Sequence, residues 1–338
     1  MNSQNAKKDS SSTEDCAAGP EHGSKGRVEE LLRSGAARLR EADVDAPRLC
    51  AEMLMAHLLG SDRAALCRAS KDKLSVDQAA RYEELLARRV AREPVQHIVG
   101  RTEFWSLDIL CDATALIPRP ETEVVIETAL AILKNSAAPA IADIGTGAGC
   151  IAIALATELP GARLYASDIS RDALELAARN LAAHGLTRRV QLLEGDMAEP
   201  FLKQGLAGRL DAIVCNPPYV AESDKPALQP EVRDYEPEAA LYGGRDGLQV
   251  LARLLAETGA LLKPGGHLIV EIAQGQAPAV RELAEKSAGR PEQLSKGRPE
   301  QLSKGGPELR RMGGWRVIRT IADTAGIERV LLIQKEKL

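Results

Sequence analysis

Aromatic side chains make up only 3% of the 338 residues, with two Phe, five Tyr and two Trp. A core of stacked rings is therefore excluded, and Ala, Leu, Ile and Val must fill the interior. Neither charge sign dominates: 44 Lys and Arg face 48 Asp and Glu, a net charge of -4. That balance gives no global basic field to hold a polyanion, although a local patch is still open. No run approaches the roughly 18 apolar residues of a membrane span. The stretch from Met1 to Gly26 has no apolar signal core, and Glu14, Asp15 and Glu21 argue against a transit peptide. The six cysteines form no Cys-x-x-Cys pair and have no His at zinc-ligand spacing. Free thiols in a reducing cytosol are the plain reading, so a cytoplasmic protein is expected. What is present is a 44% hydrophobic share, enough for one large domain and a smaller one.

The polar tail, residues 1–26, reads as disordered. Helical periodicity starts at Arg27, with Val28, Leu31, Leu32 and Ala36 on one face, and continues over Pro47 to Leu59. A third stretch, Val76 to Arg92, sets Ala80, Leu85, Leu86 and Val90 among charges until Pro94 stops it. Residues 27–95 thus form a small helical domain, either a packing extension or a substrate-docking module. Residues 96–118 read as a β-hairpin linker, with Gln96 to Val99 and Glu103 to Leu110 flanking Gly100-Arg101.

From residue 119 to 338, apolar runs alternate with helical patterns. Strands are expected at Ala140 to Ile144, Arg163 to Ser167, Val190 to Leu193, Asp211 to Cys215 and His267 to Ile272. Helices are expected up to about Lys134 and at Gly149 to Leu159, Arg171 to His184 and Gly247 to Leu262. This is the pattern of an α/β domain on a parallel sheet. Two last runs, Trp315 to Ile321 and Arg329 to Gln334, would close the sheet edge with one antiparallel strand. Between them and the last helix, Gly289 to Lys296 recurs unchanged as Gly297 to Lys304. Each copy has a Pro and one large apolar residue, so residues 287–312 read as a disordered repeat insertion.

Chemistry concentrates at strand ends. Asp143-Ile-Gly-Thr-Gly-Ala-Gly149 lies where a strand turns into a helix. Gly145, Gly147 and Gly149, with Thr146 and Ala148 between, leave the backbone bare for a ligand. The spacing lacks the Gly-x-Gly-x-x-Gly of dinucleotide binders, which favours a nucleoside without phosphates. Asp143 suits a ligand with a cationic amino-acid portion. Asp168, ending the second strand, can take both ribose hydroxyls, as carboxylates also do in NAD binders. Asp196, after the third strand, can reach an adenine amino group. Each acid alone also reads as a cap or solvated turn. After the fourth strand comes Asn216-Pro217-Pro218-Tyr219, a rigid turn lacking two N–H groups. The Asn216 side-chain oxygen and the Pro217 carbonyl can accept from one planar NH2, on which Tyr219 can stack.

These two motifs resemble those of S-adenosylmethionine-dependent methyltransferases acting on planar nitrogens, including adenine-N6 nucleic-acid enzymes. Further stretches narrow the resemblance. They are Pro94-Val-Gln-His-Ile-Val-Gly100, Phe104-Trp105 and Leu116-Ile-Pro-Arg-Pro-Glu-Thr-Glu123 before the Asn-Pro-Pro-Tyr turn. Glu231-Val-Arg-Asp-Tyr-Glu-Pro237 and Ala240-Leu-Tyr-Gly-Gly-Arg-Asp-Gly-Leu248 follow it. From about Arg27 to the C-terminus the series resembles the peptide chain release factor N5-glutamine methyltransferases. That resemblance implies a seven-stranded Rossmann-like class I methyltransferase domain behind a small helical domain and a hairpin. It implies S-adenosylmethionine as methyl donor, S-adenosylhomocysteine as product and no metal. The implied partner is a class 1 release factor, methylated on the glutamine of its Gly-Gly-Gln loop, with no membrane and no direct nucleic acid. Cofactor contacts carry over to Gly145 through Gly149, Asp168 and Asn216. The position after Asp196 is typically aromatic in the family, whereas this chain has Met197, which can still pack on the adenine ring.

Two other functions compete with this one. An adenine-N6 nucleic-acid methyltransferase would need clustered Lys and Arg with aromatics for a flipped base, and the helical domain carries nearly equal acid. A non-catalytic S-adenosylmethionine-binding protein would have lost Asn216 or the glycine loop, and both are intact. No general base stands out, and His97 reads as a structural hairpin residue. The repeat yields a direct test. Deleting residues 289–304 should change unfolding free energy by less than about 1 kcal/mol in denaturant titrations, since little there can be buried.

Overall fold

The computed structural model describes residues 26–287 and 314–337. Of the expected disordered tail and repeat insertion, residues 1–25 and 288–312 lie outside the described residues, while Ser287 closes the last helix before the insertion. The chain divides into two compact units after Ala91. No described helix is long and apolar enough to cross a membrane.

The first unit contains α1 (Val28–Glu41), α2 (Pro47–Leu59), α3 (Arg63–Arg68) and α4 (Val76–Val90). Val28, Leu32, Ala36 and Leu39 are buried on α1, close to the expected stripe. On α4 the buried face is Ala79, Tyr82, Leu86 and Arg89, and Ala80 is exposed. Tyr82 sets that phase. Its fully buried ring seats against Gly35, where a Cβ would lie 3.0 Å from the Tyr82 hydroxyl, and the hydroxyl donates to the Ala51 carbonyl at 3.2 Å. Ser75 caps α4 through a reciprocal pair with Gln78.

The second unit opens with α5 (Val95–Val99), where an extended strand was expected. The hairpin consists of β1 (Arg101–Phe104) and β2 (Leu107–Leu110), and it turns at Trp105-Ser106 rather than at Gly100-Arg101. Gly100, at φ +81°, terminates α5, and His97 lies in that helix. Trp105 and Ser106 both adopt left-handed φ, at +53° and +56°, the geometry of a tight two-residue hairpin turn. Nothing local favours that geometry at a tryptophan. Tertiary bonds hold it: the Trp105 amide donates to Glu123 Oε1 and its indole N–H to Glu158 Oε1, both at 2.8 Å.

A 3-10 turn at Pro120–Thr122 then leads into α6 (Glu123–Leu133). Next come β3 (Ala140–Ile144), α7 (Cys150–Glu158), β4 (Arg163–Asp168), α8 (Arg171–Ala183), β5 (Val190–Glu194), α9 (Glu199–Lys203) and β6 (Leu210–Cys215). The short α10 (Pro230–Arg233) and α11 (Glu238–Leu241) precede α12 (Gln249–Thr258), β7 (Leu262–Glu271), α13 (Ala277–Ser287), β8 (Trp315–Ala322) and β9 (Glu328–Lys335). β7 starts five residues before the strand expected at His267, because Leu262 already pairs with Leu210.

The seven strands lie in the order β5-β4-β3-β6-β7-β9-β8, with β3 to β7 parallel and β9 antiparallel to both neighbours. This is the α/β methyltransferase architecture, a doubly wound sheet with a reversed last strand. Alternation along each strand feeds two cores. Ile141, Ala212 and Val214 face the α6–α8 side, while Ala142, Ile144, Ile213 and Cys215 face α9, α12 and α13. The chain winds outward from β3 to β5 and returns to β6 on the other side of β3. The switch point therefore falls between β3 and β6.

Asn180 of α8 ties the hairpin to this frame. It is fully buried, accepts from the Leu110 amide at 2.7 Å, and donates to the carbonyls of Leu110 (3.1 Å) and Ala148 (2.9 Å). Asn180→Ala should lower unfolding free energy by about 2–4 kcal/mol in denaturant titrations, since three backbone groups lose a buried partner.

Candidate active site

The carboxyl ends of the parallel strands terminate nearly level. Ile144 pairs with Ser167 on one side and Cys215 on the other, and Cys215 pairs with Val270. One residue further along, the chain places Gly145, Asp168, Asn216 and Glu271 along a single edge.

The glycine loop after β3 is pinned by the Gly145 and Thr146 amides, both donating to the Ser167 carbonyl. Gly145 and Gly147 have φ of +72° and +55°. A Cβ at Gly145 would meet nothing within 4 Å, so the loop presents bare backbone to open space. Asp168 is partly buried and bridges the site. Its Oδ2 accepts from the Gly147 amide and its Oδ1 from the Ser170 amide, each at 2.9 Å. Ile169, directly after it, is 65% exposed. Met197 is half-buried, packs against the core and holds a left-handed φ of +48°. Asp196, expected at an adenine amino group, forms an exposed ion pair with Arg253 at 2.8 Å.

Asp143 is fully buried beneath the loop. Its Oδ2 accepts from the Thr146 hydroxyl at 2.7 Å, and its Oδ1 has no partner. Burial pushes its carboxyl up to about 7, against the lowering effect of the Thr146 bond. An orphaned buried acceptor under a bare loop fits a ligand carrying a cationic group. Together with the open backbone face and the exposed Ile169, it fits S-adenosylmethionine.

Across the switch point, the Asn216 amide donates to Thr122 Oγ1 at 3.0 Å. The Tyr219 hydroxyl donates to Glu271 Oε1 at 3.1 Å. The turn is clasped from outside by Gly243 and Gly247. A Cβ there would lie 2.6 Å from the Pro218 carbonyl oxygen and 2.2 Å from that of Tyr219, which only glycine avoids. A cavity of about 150 Å³ opens beside the turn, bounded by Asn216, Pro217 and Tyr219 with Leu116, Val232 and Leu241. Arg119, also on its wall, grips the buried Glu236 through two bonds of 2.8 and 2.6 Å. Arg92 grips Glu231 in the same way. The two pairs hold the segment after Tyr219 over the turn.

With this geometry in place, comparison with known proteins is direct. Residues 30–100 match the model of the PrmC N-terminal domain, and residues 123–231 match that of the methyltransferase small domain. A release factor glutamine methyltransferase of Rhodospirillum rubrum is 42% identical over 266 residues, covering 79% of this chain and 80% of that one. One from Geobacter sulfurreducens is 45% identical over 242 residues, covering 72% and 82%. One from Deinococcus radiodurans is 39% identical over 254 residues, covering 75% and 88%. The chain belongs to the release factor glutamine methyltransferase family.

In this family member, Gly145 through Gly149, Asp168, Met197 and the Asn216–Tyr219 turn all lie along one sheet edge, as the motif positions imply. Thr122, Ile169, Glu236 and Glu271 were not singled out from the sequence. Ile169 carried a local signal, an apolar residue directly after the strand-ending acid, and Thr122 and Glu236 lie within the Leu116–Glu123 and Glu231–Pro237 stretches that carry the resemblance.

Asp143 generates a pH prediction. Its ordinary value of 3.8 rises to about 7 in the folded chain, so the folded state keeps a proton that the unfolded state releases. Stability is therefore greatest at low pH within this window and falls as pH rises through 7. Thermal melts of the cofactor-free protein should lose stability between about pH 5 and pH 8, with Asp143 contributing about 2–4 kcal/mol. Asp143→Asn should flatten its share of that slope.

Proposed function

We infer that the chain transfers a methyl group from S-adenosylmethionine to the side-chain amide nitrogen of the glutamine in the Gly-Gly-Gln motif of class 1 release factors. One observation carries the reading in this family member. The small cavity opens on the Asn216-Pro217 turn at the end of β6, the strand that pairs with β3 at the switch point.

S-adenosylmethionine supplies a methyl group already activated on a sulfonium sulfur. Gly145 through Gly149 would receive its amino-acid and sugar portions, with Asp168 on the ribose hydroxyls. Ile169 and Met197 offer apolar surface to the adenine. On the substrate side, Leu116, Val232 and Leu241 suit the methylene groups of a single side chain. Asn216 Oδ1 and the Pro217 carbonyl accept the two N–H bonds of its amide. Those acceptors strengthen as positive charge grows on nitrogen, which is where they lower the barrier. Tyr219 bounds the amide plane. The helical residues 27–95 serve as the docking module for the folded release factor, whose loop must project into the cavity.

Two substitutions test the reading with labelled S-adenosylmethionine and purified release factor. Asn216→Ala should lower turnover by about 100-fold or more while cofactor affinity changes modestly. Asp168→Ala should do the reverse, mainly raising the cofactor Kd in titrations. Near-wild-type turnover of the first variant rejects the acceptor role of Asn216. An unchanged Kd in the second removes Asp168 from the cofactor site.

A further inference from the structure

The cavity on the Asn216-Pro217 turn is walled mainly by apolar side chains, and among the described residues Arg119 is the one charged side chain that bounds it. Both hydrogen bonds from Arg119 to Glu236 leave from Nη2. Nε and Nη1 have no partner among the described residues, so most of the guanidinium N–H groups are uncommitted. Asn216 and Tyr219, the other polar side chains on the wall, already donate to Thr122 and Glu271.

The backbone beneath these donors is stiff. Arg119 lies between Pro118 and Pro120, and a residue before proline is kept extended. Its φ of -102° and ψ of 139° agree. The Glu236 side chain is fully buried and anchors one edge of the guanidinium, whereas the Arg119 side chain is 31% exposed. Pro217, by contrast, is buried. The guanidinium therefore stands toward the rim of the cavity, with the acceptor turn deeper inside.

Charge decides what the rim can hold. Arg119 and Glu236 together are neutral, so the pair offers fixed N–H groups without calling for an anion. The side-chain amide oxygen of an inserted glutamine is the wrong acceptor, because a donor there draws electron density from the nitrogen that must attack. The main-chain carbonyl of the same residue loses water as the loop seats, and it needs a donor at that level.

We propose that Arg119 is a substrate-binding residue whose Nε and Nη1 donate to the main-chain carbonyl of the glutamine to be methylated. The loop is then held at the rim while Asn216 and Pro217 take the amide below. The inference rests on the glutamine-methylation reading. It also gives Glu236 a second task, since a neutralised Arg119 does not draw a carboxylate side chain into the cavity.

Steady-state kinetics of the full-length enzyme test this. Arg119→Lys keeps a cation for Glu236 but loses the fork that serves two partners. Its KM for intact release factor should rise by at least about 10-fold, with kcat within about threefold and cofactor Kd within about twofold of wild type. A structural role alone would not move a second readout. In a loop peptide whose glutamine is joined to the next residue by an ester, the glutamine carbonyl is a weaker acceptor. That change should lower kcat/KM of the wild type by about 5-fold or more, and that of Arg119→Lys by less than about twofold. A release-factor KM within twofold of wild type in Arg119→Lys overturns the proposal, as does an equal ester penalty in both enzymes. If Arg119→Lys fails to fold, the double variant Arg119→Gln with Glu236→Gln, which leaves no buried charge unpaired, decides by the same ester comparison. A wild-type enzyme that does not methylate release factor instead overturns the functional reading, before any variant is compared.

Discussion

Parallel pairing of β3 with β6 sets Ile144 beside Cys215, so the next residue of each strand leaves the sheet at the same level. Those next residues are Gly145 and Asn216. The chain runs outward from β3 toward β5 and comes back to β6, so the connections on the two sides diverge and leave a crevice between them. A slip of one residue in that ladder would exchange the faces of every side chain in β6. Ala212 and Val214 on one side and Ile213 and Cys215 on the other make such a slip costly, since both faces are buried. The hydrophobic alternation that builds the core thus also fixes the distance between the ligand loop and the Asn-Pro-Pro-Tyr turn.

Three buried carboxyls cluster around the crevice, and the fold treats them differently. Glu236 is paired with Arg119 by two bonds, so its charge is met by a partner. Asp143 and Glu271 have hydroxyls for partners and no cation in direct contact, and burial lifts both to about 7. Placing two such groups in the interior costs stability that an apolar pair would not. They stand at the carboxyl ends of β3 and β7, next to the glycine loop and across from the Asn-Pro-Pro-Tyr turn respectively, where buried carboxyls with raised values are candidates for a functional site.

Much of this was legible beforehand. The strand–helix alternation, the reversed strand at the sheet edge, the glycine loop and the rigid proline turn all depend on residues close together in the chain. The differences between expectation and structure are equally specific. Gly100 looked like the hairpin turn but ends a helix, because Trp105 and Ser106 take the left-handed turn, held by the bonds that Trp105 donates to Glu123 and Glu158. The buried face of α4 shifted by a residue because one ring, Tyr82, had to seat against Gly35.

The sequence by itself determined the fold class, the family and the atoms able to hold a planar amide, because alternation and rigid turns are properties of neighbouring residues. Only the tertiary structure decided how those atoms are aimed. Thr122 meets Asn216 across 94 positions of chain, and Tyr219 meets Glu271 across 52. Thr122 lies in a stretch that carries the family resemblance, but nothing local announces either pairing. These pairings come into being only when the sheet brings four strand ends to one edge.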